Sequence, residues 1–237
     1  MAGQEHLIVV DEQEHPWSLL LEVARATPDD AWALVGGLMV HVHALRAGIV
    51  ASRPTRDIDL VLDVHAATVS AVAGPLQQLG FRPVDGSPLH RFTRGDDIVD
   101  VMVGKGESAR WAQRPVFPAP AARQAGDRRD WYVLRTTGDD VRIGVPDALG
   151  AIVVKAAAHL VDQRDRGRHL EDLAVLLAAA GGRRRLALER LTKSDKRYLR
   201  GVMKHLSDPG YSAWSVLEDA DRQVGQRTLA AVAEQVG

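Results

Sequence analysis

Trp32-Ala33-Leu34-Val35-Gly36-Gly37 and, further on, Thr55-Arg56-Asp57-Ile58-Asp59-Leu60-Val61-Leu62-Asp63 are the stretches that decide the fold. The first is apolar, too short for a helix, and runs straight into two glycines, which reads as a buried strand ending in a turn. Leu38 to Leu45 then has the composition of a helix, with Gly48 as its stop. The second stretch alternates charged and apolar residues with a period of two, the pattern of a strand with one face on the core. Ile58 and Leu60 take that core face, and Asp57 and Asp59 share the other.

Outward from this centre, Leu19, Leu20, Val23 and Ala24 mark an amphipathic helix within residues 14–30, closed by Pro28-Asp29-Asp30. A helix is expected from about Ala66 to Leu79, ended by Gly80, and then two strands, His90–Thr93 and Asp97–Val103, turning at Arg94-Gly95-Asp96. From Gly104 to about Asp130 the periodicity is lost and prolines 115, 118 and 120 indicate an irregular connection. Val141–Val145 reads as a strand. Pro146 suits the first turn of a helix running through Lys155 to Val161, because its missing N–H costs nothing there. Further helices are expected at 169–179, 193–206 and 213–235. The fold class is therefore α+β: a mixed sheet with helices over residues 1–145, then a helical domain over 146–237 completing the active-site cleft.

Nucleotidyl transfer requires divalent metal, which neutralises the triphosphate and activates the attacking hydroxyl. Magnesium takes hard oxygen ligands, usually carboxylates together with phosphate oxygens. Carboxylates at i and i+2 of a strand lie on one face about 6.5–7 Å apart at the backbone, close enough to share metal. Asp57 and Asp59 have that spacing. Asp100, between Val99 and Val101, is an acid in an apolar strand, costly to bury without a compensating cation, and is the candidate third ligand. Gly36-Gly37, between strand and helix, allows backbone N–H groups to approach phosphates at a helix N-terminus. Taken alone, an Asp-x-Asp strand is more often a solvated sheet face, and a Gly-Gly pair more often a simple turn. The combination with the Thr55-Arg56 lead-in and Asp100 favours function.

The order strand, Gly-Gly, helix, Asp-x-Asp strand and later Asp-bearing strand resembles the polymerase β-like nucleotidyltransferase superfamily. Thr55-Arg56-Asp57-Ile58-Asp59, followed by Lys155 in Val153-Val154-Lys155-Ala156-Ala157 and by Arg166-Gly167-Arg168-His169-Leu170-Glu171-Asp172, is similar to the AbiEii/MenT group of nucleotidyltransferase-like toxins. The resemblance spans about residues 31–180. It implies that Gly36, Gly37 and Arg56 hold nucleotide phosphates, that Asp57 and Asp59 bind Mg²⁺ (or Mn²⁺), that Lys155 contacts the triphosphate, and that Asp172 is a catalytic or positioning carboxylate. It further implies an NTP co-substrate, a tRNA 3′ end as acceptor, and an antitoxin partner in a toxin–antitoxin system. The sequence departs from the family at His169, where an acid often follows the arginine, and at Leu38, where a small or hydroxyl residue is common.

Composition sets the remaining bounds. The chain has 237 residues, no cysteine, 46% hydrophobic and 26% charged residues, and a net charge of −1, so disulfides, thiolate zinc sites and a cysteine nucleophile are excluded. No leader-like segment opens it and its longest apolar run, Ala148–Leu160, is interrupted by Gly150, Lys155 and His159. A cytoplasmic protein without a membrane span is expected. Acid clusters gather early and arginine-rich runs later, which suits a polyanionic partner. A small-molecule (antibiotic) nucleotidyltransferase would want an acidic acceptor site, which those arginines disfavour. A protein nucleotidyltransferase, or a catalytically silent nucleotide-binding protein on the same fold, stays open. Arg164, Arg166 and Arg168 lie between the two candidate helices and are the basic residues most suggestive of a ligand.

Overall fold

The computed structural model describes residues 3–50, 54–86, 88–162 and 166–237. It comprises two compact units, the first formed by Met1–Met39 with Thr55–Asp147 and the second by Val40–Pro54 with Ala148–Gly237. The architecture is the α+β one expected, a mixed sheet with helices and a helical C-terminal region.

In chain order the first unit contains β1 (Glu5–Val9), α1 (Trp17–Ala26), β2 (Trp32–Val35), the start of α2 (Gly36–Ala47), β3 (Asp57–Leu62), α3 (Ser70–Gln78), β4 (Arg82–Pro83), β5 (Arg91–Arg94) and β6 (Asp97–Gly104). The short strands β7 (Arg110–Trp111), β8 (Arg114–Pro115) and β9 (Phe117–Ala119) follow, then α4 (Ala122–Asp127), β10 (Arg129–Arg135) and β11 (Asp140–Pro146). The main sheet runs β2-β3-β6-β5-β4, with β9 added beside β6. Strand β3 is antiparallel to β2 and parallel to β6, and β5 returns antiparallel to β6. Ile58 and Leu60 of β3, with Val99 and Val101 of β6, are fully buried, as the alternation requires.

Several elements depart from the sequence expectation. The helix expected within 14–30 is confined to Trp17–Ala26, since Thr27 is already extended and its hydroxyl bonds back to the Val23 carbonyl. Residues 104–130, expected to be irregular, hold β7, β8, β9 and α4. Strands β1 and β10 have no counterpart in the sequence pattern. They pair in parallel with each other from opposite ends of the unit, so local pattern alone does not show the partnership.

The second unit is built from α5 (Ala148–Val161), α6 (Arg166–Ala179), α7 (Lys193–Leu206) and α8 (Asp219–Val236). The helix expected over 213–235 is two elements, a 3₁₀ turn at Ser212–Val216 and then α8, separated by extended Leu217. Trp214 of that turn is buried and donates its indole N–H to the Leu206 carbonyl at 3.1 Å. Gly225 of α8 makes room for it: a Cβ there would stand 2.8 Å from the indole ring. Helix α7 opens with a capping box in which Thr192 and Asp195 satisfy each other's backbone N–H. Among the described residues, no helix is long and apolar enough to cross a membrane.

Because Leu60 is wholly buried in the central strand, Leu60→Ala is expected to lower unfolding free energy by about 2–5 kcal/mol. Urea titration followed by circular dichroism measures this, and a drop smaller than about 1 kcal/mol would contradict the assigned face.

Candidate functional site

Parallel pairing of β3 with β6 places Asp57 beside Ile98 and Asp59 directly beside Asp100. Each of Asp57, Asp59 and Asp100 then offers a carboxylate oxygen, all within 4.8 Å of one another. Carboxylates this close repel and favour a cation between them. Hard oxygens on two adjacent strands are the donor set that Mg²⁺ or Mn²⁺ accepts, so the group could hold a divalent metal. Thr55, itself buried, donates its hydroxyl to Asp57 Oδ1 at 3.3 Å, which fixes one side of the cluster.

The glycine turn explains how Asp59 is accommodated. Antiparallel β2 puts Val35 opposite Asp59, so the next residue, Gly36, begins α2 directly over the carboxylate. Gly36 has φ +72°, and a Cβ built there would lie 1.7 Å from Asp59 Oδ2. No side chain fits. The first turn of α2 therefore lies against an acid, the charge that the positive end of a helix favours. Gly37 follows, buried, while Arg56 is exposed just ahead of Asp57.

The structure adds a residue that sequence reasoning misses. Arg91 of β5 donates Nε to Asp100 Oδ1 at 2.8 Å and Nη2 to Asp100 Oδ2 at 2.7 Å, a two-pronged ion pair. Asp59, Asp100 and Arg91 thus form one row across three neighbouring strands. The Asp100 hydrogen bond raises the Arg91 pKa above its ordinary value, with Asp57 and Asp59 adding attraction. A signal exists in the chain: a two-residue turn, Gly95-Asp96, pairs Arg94 with Asp97 and therefore Arg91 with Asp100.

Lys155 and Asp172 belong to the second unit, where α5 and α6 bring them together at 2.7 Å. Both side chains are about 5% exposed. His169, one turn before Asp172, bonds through Nε2 to Asp162 Oδ2 at 3.1 Å, and its buried Nδ1 has no hydrogen-bond partner among the described residues. Burial chiefly, and the Lys155 charge next, hold His169 below the ordinary imidazole pKa. Arg166 is exposed and Arg168 half-buried, while Arg164 lies outside the described residues. Asp63 caps the turn after β3, accepting from the N–H groups of His65 and Ala66.

No protein-family model and no curated protein matches the chain. Among solved structures it is similar to an antigenic nucleotidyltransferase-like protein from Paracoccidioides brasiliensis, at 16% identity and a TM-score of 0.45, over 73% of this chain and 79% of that one. No residue role follows from a likeness so distant.

Two measurements test the site. Saturating Mn²⁺ should raise the melting temperature of the wild type, by the equivalent of about 2.7 kcal/mol at a hundredfold excess over Kd, and leave Asp59→Asn unmoved. An equal shift in both would place the metal elsewhere. For the buried pair, Lys155→Met alone should cost about 3–5 kcal/mol by stranding a carboxylate, and adding Asp172→Leu should recover most of it. Urea titration of the single variants and the double variant would contradict this if their effects simply add.

Proposed function

We propose that the protein is a metal-dependent nucleotidyltransferase, moving an NMP group from an NTP to a hydroxyl acceptor. The observation that carries this reading is the meeting of Asp57, Asp59 and Asp100 within 4.8 Å beside a helix start that admits no side chain. Asp57 and Asp59 would hold Mg²⁺ or Mn²⁺, which when bound neutralises triphosphate charge and acidifies the acceptor hydroxyl. The N–H groups of Gly36 and Gly37 face phosphate oxygens, and exposed Arg56 pairs with one of them. The acceptor oxygen attacks the α-phosphorus, its proton passing to an aspartate. A new phosphodiester bond forms as the bond to the β-phosphate breaks, and pyrophosphate leaves.

The acceptor we favour is the 3′ end of tRNA, and the role that of a toxin restrained by an antitoxin, both supported by the motif resemblance around Thr55–Asp59. In the same reading Lys155 contacts the triphosphate and Asp172 positions it, which requires the pair to open. A second reading is favoured by Arg91, which already engages both oxygens of Asp100: a nucleotide-binding protein that performs no transfer.

Incubation with total RNA, Mg²⁺ and each α-³²P-labelled NTP separates these. Label should enter tRNA-sized RNA and fall to background in Asp59→Ala. Metal-dependent NTP binding without label in any acceptor would establish the silent protein instead.

A further inference from the structure

The second unit contains a cavity of about 250 Å³, different in chemistry from the carboxylate cluster of the first. His159 of α5, Arg166 of α6, Lys204 and His205 of α7, and Tyr211 contribute to its walls, and among the described residues no carboxylate lines it. Two permanent cations, Arg166 and Lys204, share this opening with two imidazoles, an arrangement that favours something negative among them. Burial first, then the nearby Lys204 and His159, hold the His205 pKa below the ordinary imidazole value.

His159 is 5% exposed, and its Nδ1 lies 3.0 Å from the Arg166 carbonyl, which fixes the proton on that nitrogen. Its Nε2 has no hydrogen-bond partner among the described residues. A ring nitrogen without a partner at a cavity wall is poised for a ligand atom. The wall also includes Arg166 and Gly167, the first residues of α6, where the helix dipole favours an anion. Both Arg166 and Lys204 are exposed and enter no ion pair among the described residues.

A basic track leads to the same place. Lys193, Arg197, Arg200 and Lys204 recur at helical spacing on α7, all exposed, and none is in an ion pair among the described residues. The helix's one acid, Asp195, is fully buried in the capping box. A merely solvated helix face normally interleaves Glu with Lys, because like charges at i, i+4 destabilise it. The track is about 16 Å long at roughly 1.5 Å per residue. That length faces several phosphates of a strand bearing one roughly every 3.4 Å in a duplex.

We propose that the cavity bounded by His159, Arg166, Lys204 and His205 is a phosphate-ester binding site, fed along α7 by the backbone of a polynucleotide strand. Arg166 and Lys204 supply charge, His159 Nε2 and the Tyr211 hydroxyl supply directed hydrogen bonds, and the α6 N-terminus supplies backbone N–H groups. The site stands independently of nucleotidyl transfer and persists if the carboxylate cluster proves inert.

The test uses the full chain carrying Asp59→Asn, so that transfer plays no part. Fluorescence anisotropy follows binding of a 5′-labelled twelve-residue oligouridylate over a range of salt concentrations. Arg166→Gln with Lys204→Gln, both at exposed positions, should weaken binding at least tenfold. The same pair should flatten the salt slope by about 1.4, because each phosphate neutralised on a single strand contributes roughly 0.7 to it. Arg184→Gln, an exposed charge elsewhere in the unit, should leave both unchanged. Inorganic phosphate and unlabelled oligonucleotide are then added as competitors. Displacement by millimolar phosphate identifies a site for the isolated group, and displacement by oligonucleotide alone identifies a backbone site; either supports the proposal. Absence of binding by both ligands, or an affinity and slope unaltered in the double variant, would overturn it.

Discussion

Repulsion among Asp57, Asp59 and Asp100 is the constraint around which the first unit is organised. At 4.8 Å and an effective dielectric of about 20, each like-charged pair costs roughly 3–4 kcal/mol before screening by water. The surroundings offset part of that cost: Arg91 grips Asp100, the Thr55 hydroxyl reaches Asp57, and the first turn of α2 lies over Asp59. These groups hold the oxygens in place, and Asp57 and Asp59 are half-buried. Register does the positioning, since one residue of slip in β3 would send both acids into the core and Ile58 and Leu60 to the surface.

The second unit handles charge differently. Lys155 and Asp172 are buried and paired, so they bind α5 to α6, and removing either one leaves the other a buried charge without that partner. Beside them, the cations of α7 and of the His159 cavity are left without acidic partners among the described residues. A protein with net charge near zero thus concentrates acid on a strand face and base on a helix face. The first could hold a hard cation, and the second is where we propose phosphate esters bind.

Much of this is legible in the chain. Alternation across Asp57–Leu60 and the apolar run into Gly36 locate β3, β2 and the glycine turn, because burial of one sheet face leaves a period-two record. Asp100 is recognisable as an acid in apolar company. Its guanidinium partner is hidden: Arg91 becomes meaningful when the Gly95-Asp96 turn is used to count the register across the hairpin. Strands β1 and β10 leave no such mark because their pairing joins distant segments, and the short strands between residues 104 and 130 lack a period long enough to read. Lys155 stands out as a charge in an apolar helix, while its closure with Asp172 depends on the packing of α5 on α6, which no local pattern encodes.

Whether Asp57, Asp59 and Asp100 form a divalent-metal site is decided by anomalous diffraction from crystals grown with Mn²⁺ and a non-hydrolysable NTP analogue. The expected result is an anomalous peak in coordination contact with Asp57 and Asp59, with the analogue's phosphates completing the shell. A peak at any other cluster, or an analogue bound away from β3 with no metal between these carboxylates, would contradict it.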